Sequence, residues 1–323
     1  MRPKIYALLS NNRTLPMTGG DKINESRFYR ALSQHFDVYY NGQLFDPNAK
    51  DFGIKDRPIE IPKDEYDLYY VRANNKVLYH CPRPKVAMGV PYSKWLYNHA
   101  DAILTTTEQW KSMILGYNQD QVTRTLLKDW YEGSSSLVIP KKVINIRKKV
   151  SYNVKRTFGF FGSLAMQIFP HNAISALLRL QREYDINICM AGKKYTDTVL
   201  PNGIRYLGYL PYNDTLLSLK ACTCLIANEG EETEYLGSGK VLDAIAAGVP
   251  ILAYRSAVRE EQLGEDYLGF YKSEEEAYFI AKMIIENSYF REQIIAQMSK
   301  RYDIYSVSAQ GDYLYEQFKP LLR

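Results

Sequence analysis

What this 323-residue sequence lacks narrows its class before any motif is considered. No stretch approaches the ~18 consecutive apolar residues of a membrane-crossing helix, so no span is expected. Cysteine is scarce, and Cys81, Cys189, Cys222 and Cys224 match neither a disulfide framework nor a paired C-x-x-C zinc site, so a reduced protein without bound metal is expected. The apolar start, Lys4 to Leu9, is too short for a signal peptide and reads as a first strand, which points to the cytoplasm. Neither sign of charge dominates: 41 basic residues face 36 acidic ones, a modest net +5. Two common phosphate loops are missing as well. A P-loop ending on Gly239-Lys240 needs glycine where Glu234 stands and Ser or Thr where Val241 stands. A dinucleotide fingerprint starting at Gly237 needs its last glycine at Leu242. Ordinary NTPase and NAD-binding readings therefore fall away.

What is present is the grammar of two α/β domains. The length exceeds one core, and two domains of roughly 150 residues are the natural division. In the first half, strands are expected at Lys4–Leu9, Asp37–Tyr40, Asp67–Val71, Lys85–Val90, Asp101–Thr105 and Ser136–Pro140. Helices are expected from Lys22 to Phe36 and from Glu108 onward. Between Lys141 and Arg156 seven basic residues occur with no acid among them, which reads as a linker or as a patch for an anionic surface. The pattern then restarts with strands at Thr157–Gly162, Ile186–Gly192, Ile204–Gly208, Cys224–Ala227 and Ile251–Tyr254. Helices are expected at Ala173–Tyr184, Leu216–Ala221, Glu274–Glu286, Phe290–Tyr302 and Gln310–Leu322. Strands separated by compact crossovers imply parallel sheets covered on both faces, which bind ligands at the carboxyl ends of their strands.

The most informative stretch runs from Tyr235 to Tyr254. Val241, Leu242, Ile245 and Ala246 follow helical spacing, and Gly248 with Pro250 ends the helix. Gly237 and Gly239 let backbone approach a ligand, and the helix start offers unpaired N–H groups and a positive dipole end, an arrangement suited to phosphate. Lys240 and Asp243, three apart, share a face, so an acid one turn inside the helix reaches a sugar hydroxyl.

Lys240-Val-Leu-Asp243-Ala-Ile-Ala-Ala-Gly248-Val-Pro250 resembles the donor-site signature K-x-x-E-x-x-A-x-G-x-P of GT-B glycosyltransferases, in particular the retaining glycosyl transferases group 1 (family 4). The resemblance implies two Rossmann-like, doubly wound parallel-sheet domains facing an interdomain crevice, with a C-terminal helix crossing back to the first. The expected division is 1–140 for the acceptor domain, 141–155 for a basic linker, 156–302 for the donor domain and 303–323 for the returning helix. It implies donor contacts at Gly19, Gly20, Gly162, Ser163, Lys193, Gly237, Gly239, Lys240 and Asp243, with Asp243, in place of the usual Glu, on the ribose. The family's Arg and Lys after the donor-domain glycine are replaced by Ser163 and, nearby, Gln167, leaving Lys193, Lys194, Lys240 or Arg255 to neutralise a diphosphate. Tyr235 stands where the first acid of an E-x7-E pair belongs. Glu231, or Asp21 with Gly20 in the first domain, is assigned to the sugar end, and Glu229 to Glu234 otherwise read as a solvated acidic loop. Arg72, at a strand end, and Tyr92, near the family's usual histidine position, are the acceptor candidates.

The expected activity is therefore transfer, with retention and without a metal, of a sugar from a UDP- or GDP-sugar, the co-substrate; no permanently bound cofactor is expected. The acceptor is a saccharide, a lipid-linked glycan or a modified base in nucleic acid, the last as in phage DNA glucosyltransferases. Basic and aromatic residues alternating at Arg27–Arg30 and Lys94–Tyr97 suit a polyanion, either nucleic acid or an anionic bilayer. The alternative from another class is a catalytically silent nucleotide-sugar-binding module.

Overall fold

The computed structural model describes residues 2–9, 20–40, 42–48, 65–72, 81–82, 84–88, 100–104, 156–195, 198–229 and 237–322. The chain divides into two compact units, Met1–Lys142 with Tyr305–Arg323, and Val143–Ile304.

In the first unit, β1 (Lys4–Leu9), β2 (Asp37–Tyr40), β3 (Gln43–Leu44), β4 (Leu68–Arg72), β5 (Lys85–Met88) and β6 (Ala102–Leu104) form one sheet in the order β3-β2-β1-β4-β5-β6. All neighbours are parallel except β3, which folds back antiparallel on β2 with Tyr39 opposite Leu44. This two-residue edge strand has no apolar run of its own, and its sequence gives no sign of it. Tyrosine fills much of the core: Tyr6 and Tyr69 are buried, and the Tyr66 ring lies 4.9 Å from Tyr6 and 5.3 Å from Tyr39. Such tilted and edge-on pairs bury large apolar faces while leaving each hydroxyl a polar tip.

Helix α1 (Gly20–Leu32) starts and stops earlier than its periodicity suggests, since the chain turns at Ser33 to His35 before Phe36 enters the core. Against it packs the last helix, described below, through a glycine: a Cβ at Gly311 would lie 2.7 Å from the Ala31 carbonyl. His35 Nε2 and Asp312 Oδ1, 2.6 Å apart, and the His35 and Tyr315 rings at 4.9 Å complete the contact.

In the second unit, β7 (Arg156–Phe161), β8 (Ile186–Ala191), β9 (Ile204–Tyr206), β10 (Cys224–Ile226), β11 (Ile251–Tyr254) and β12 (Phe270–Tyr271) form an all-parallel sheet in the order β12-β11-β10-β7-β8-β9. Phe158, Phe160, Leu225, Ile226, Ile251 and Leu252 are buried, and consecutive buried residues within one strand show that the sheet is covered on both faces. Helices α2 (His171–Leu180), α3 (Tyr212–Lys220), α4 (Gly239–Ala247), α5 (Ala257–Leu263), α6 (Glu274–Glu286) and α7 (Ser288–Ile304) accompany it. The final helix, α8 (Val307–Phe318), returns to the first unit; Ser306 caps it by accepting from the Ala309 N–H. Among the described residues no helix is long and apolar enough to cross a membrane. The expected strand Ser136–Pro140, the helix from Glu108 and the basic run as far as Lys155 lie outside the described residues.

Candidate functional site

The chain builds the second sheet outward from β7, first to β8 and β9, then across to β10, β11 and β12 on the other side. The direction of winding reverses between β7 and β10, and at such a reversal the crossovers diverge and leave a crevice at the carboxyl ends of the two strands. Gly162 follows β7 at this point, and Asn228 lies two residues beyond β10.

Both glycines at the central strand ends are required. A Cβ on Gly192, after β8, would fall 1.7 Å from the Gly162 carbonyl oxygen, and both residues have φ +141, a conformation that side-chain-bearing residues rarely adopt. The narrow gap in front of β7 is filled by Lys240. Its ammonium lies 4.3 Å from the Phe160 ring centroid and donates to Asn228 Oδ1 at 2.5 Å. A Cβ on Gly162 would approach that nitrogen to 2.7 Å. A cation thus sits at the reversal point, held by an aromatic face and an amide oxygen.

Helix α4 presents this lysine. Gly237, at φ +70, turns the chain into the helix, and the N-cap residue Ser238 makes no capping bond with its side chain. The turn is anchored from α5: Gln262 accepts from the Ser238 N–H and donates to the Ser238 carbonyl, both at 3.2 Å, while Arg259 donates to Gln262 at 2.7 Å. Arg259 and Gln262 are 0% and 2% exposed, so the anchor is part of the core. One turn into α4, Asp243 accepts a 2.7 Å hydrogen bond from the Tyr212 hydroxyl at the start of α3.

Glu229 corrects the expectation of a solvated acidic loop. It is 8% exposed and covers the start of α2, accepting from the Asn172 and Ala173 backbone N–H groups at 3.1 and 3.0 Å and from Tyr271 at 2.7 Å. This external cap explains why α2 begins two residues before the expected Ala173, although its own N-cap position, Pro170, offers no capping side chain. Arg255 is likewise committed elsewhere: it pairs with Glu260 at 2.6 Å and donates to the Glu265 carbonyl at 2.9 Å.

The structure thus brings Gly162, Lys240, Gly237, Gly239 and Asp243 to one end of the second sheet. Ser163 and Lys193 lie beside them through Tyr195, whose hydroxyl is 3.4 Å from Ser163 Oγ and whose ring centroid is 5.1 Å from the Lys193 ammonium. Gly20 and Asp21 open α1, and Arg72 ends β4, paired with Leu9 and Met88; these belong to the first unit. Gly19, Tyr92 and Glu231 lie outside the described residues. Sequence reasoning missed Tyr212, Gln262 and Arg259. The last two stand three apart in a short, mostly polar helix, and that spacing was the one signal available.

All four cysteines are free and buried. Burial pushes the Cys81 thiol up to about 11 and raises Cys224 as well, while a hydrogen bond with Cys189, followed by burial, raises Cys222. These three are therefore poor nucleophiles at neutral pH. Among the described residues no group of three or more His, Cys, Asp or Glu side chains is placed to hold a metal ion.

No protein-family model matches the sequence, and no curated protein matches it. Solved structures do. HepE from Anabaena, in complex with UDP and glucose, superposes with a TM-score of 0.66 at 15% identity, over 99% of this chain and 100% of that one. AviGT4, a glycosyltransferase involved in avilamycin A biosynthesis, gives 0.64 at 12% identity over 99% and 98% of the two chains. WaaB, a lipopolysaccharide outer core galactosyltransferase, gives 0.60 at 12% identity over 99% and 100%. This chain has the GT-B fold. With a GT-B frame established, the crevice between β7 and β10 is the switch point of its second Rossmann-like unit, and Lys240 is the cation that occupies it.

Proposed function

We propose that the protein is a retaining, metal-independent glycosyltransferase acting in the cytoplasm, moving a sugar from a UDP- or GDP-sugar to an acceptor hydroxyl. The observation that carries this reading is Lys240, held at the switch point beside Gly162 with Asp243 one helical turn further on. In this reading the lysine and the start of α4 stabilise the negative charge that builds on the leaving diphosphate, and Asp243 binds the ribose. Preorganisation matters here, since a cation already fixed against Phe160 and Asn228 need not reorganise as the glycosidic bond breaks. Glu231 and Asp21 are assigned to the sugar end, Gly19, Gly20, Ser163 and Lys193 to the donor, and Arg72 and Tyr92 to the acceptor.

The likeness to HepE, solved with UDP and glucose, supports a nucleotide-sugar donor. The acceptor is a saccharide, a lipid-linked glycan or a modified base in DNA. The basic run from Lys141 to Arg156 favours a polyanionic or membrane-associated acceptor over a small neutral one. Incubation with a panel of UDP-, GDP- and CMP-sugars and candidate acceptors should release free nucleotide; silence across all of them would sink the assignment. Donor binding without turnover would instead support a silent nucleotide-sugar-binding module, the reading motivated by Ser163, Gln167 and Tyr235 standing where the resembled family has Arg, Lys and the first acid. Steep salt dependence of duplex binding, or flotation with anionic vesicles, would separate the acceptor classes.

A further inference from the structure

The donor-site acid of this chain is an aspartate, one methylene shorter than the glutamate of the signature it resembles, and in the structure it does not stand alone. Tyr212 donates its hydroxyl to Asp243 Oδ1 at 2.7 Å, and both residues are half-buried. The tyrosine is the first residue of α3, set directly after Pro211, whose φ of −54 fixes the approach to the helix. The Thr215 hydroxyl, one turn on, donates to the Pro211 carbonyl at 3.1 Å and steadies the same turn. Asp243 projects from a helix whose start is itself pinned by buried Gln262. Two rigid helix starts therefore aim a phenol and a carboxylate at one point. A neutral hydroxyl donating to a carboxylate makes a strong, directional bond, and it constrains the plane of the carboxylate.

We propose that Tyr212 is a positioning residue for nucleotide recognition: it orients the Asp243 carboxylate toward the donor's ribose, so that tyrosine and aspartate together do what a single longer acid does elsewhere. This rests on the glycosyltransferase reading above and goes further in naming what makes the shorter acid competent. Substrate selection follows from it. An oriented carboxylate recognises the 2′- and 3′-hydroxyls as a pair, so discrimination against nucleotides lacking them should depend on the Tyr212 hydroxyl.

The test is isothermal titration of the full-length protein with UDP and GDP and with their 2′,3′-dideoxy counterparts. For whichever nucleotide binds, the unaltered protein should prefer the ribo form about tenfold. Tyr212→Phe should weaken the ribo form about fivefold and leave the dideoxy form unchanged, with KM raised and kcat nearly constant in turnover. Adding Asp243→Glu to Tyr212→Phe should restore the preference by restoring reach. Equal weakening of both ligands, or none of either, would show a structural tyrosine and overturn the proposal. A lowered melting temperature for Tyr212→Phe does not blur this outcome, because a folding defect cannot distinguish the two ligands. Failure of the unaltered protein to bind any of the four overturns the glycosyltransferase reading itself, and this inference with it.

Discussion

Two helix starts lie at the same end of the second sheet, and they are furnished in opposite ways. The start of α2 is sealed by its own protein: Glu229, nearly fully buried, satisfies two of its backbone N–H groups and the Tyr271 hydroxyl. The start of α4 is approached through Gly237, has no side-chain cap from Ser238, and carries Lys240. Each is the positive end of a helix dipole. One is spent on holding the fold, and the other carries the residues assigned above to a ligand. A helix start thus becomes a candidate site through the company it keeps, here a fixed cation and an acid one turn away.

The largest effect should come from breaking the sealed start. Glu229→Ala leaves two backbone N–H groups and a buried phenol without their acceptor, and should cost about 3 kcal/mol of stability in urea unfolding. Nucleotide affinity, measured well below the melting temperature, should stay within about twofold. An affinity loss larger than the stability loss would erase the distinction between the two starts.

Next is the charge at the other start. Lys240→Ala should weaken UDP or GDP about 30-fold, about 2 kcal/mol, while the corresponding nucleoside binds as before, because the lysine is assigned to phosphate and not to base. Unfolding stability should change by less than about 1 kcal/mol, since contacts of this side chain with a ring face and a half-buried amide are each modest. Gly162→Ala should act on the same lysine indirectly. The new methyl group meets the ammonium at 2.7 Å and forces a φ that alanine resists, so a loss of about 1–2 kcal/mol in both stability and nucleotide affinity is expected. Unchanged affinity for that variant would mean that the lysine has room to bind from another position.

The sequence already carried one of these two starts. Gly237, Gly239, Lys240 and Asp243 fall within seven residues, so their placing together at the start of one helix could be read from the chain alone. The other was illegible, because Glu229 and Asn172 are far apart in sequence and meet only once β10 and β7 are paired. For the same reason Glu229 read as part of a solvated acidic loop. The longer strands and their parallel pairing were legible because apolar runs recur with crossovers between them. The short edge strands β3 and β12 and helix α5 were not, since their two to seven residues hold too little periodicity to register. Long-range polar pairs such as Tyr212 with Asp243 leave no local pattern at all.

The smallest effect is the most discriminating for how the start of α4 works. Asn228 holds the Lys240 ammonium, yet the Phe160 face holds it too, so removing the amide should loosen the cation without dismissing it. Asn228→Ala should therefore weaken nucleotide diphosphate about threefold, about 0.6 kcal/mol, well short of the loss for Lys240→Ala. The double variant should be no worse than Lys240→Ala alone, because the amide then has nothing left to position. A loss of the same size as Lys240→Ala, persisting in the double variant, would make Asn228 a ligand contact in its own right. No loss would mean that the lysine reaches its place without help from the Asn228 amide.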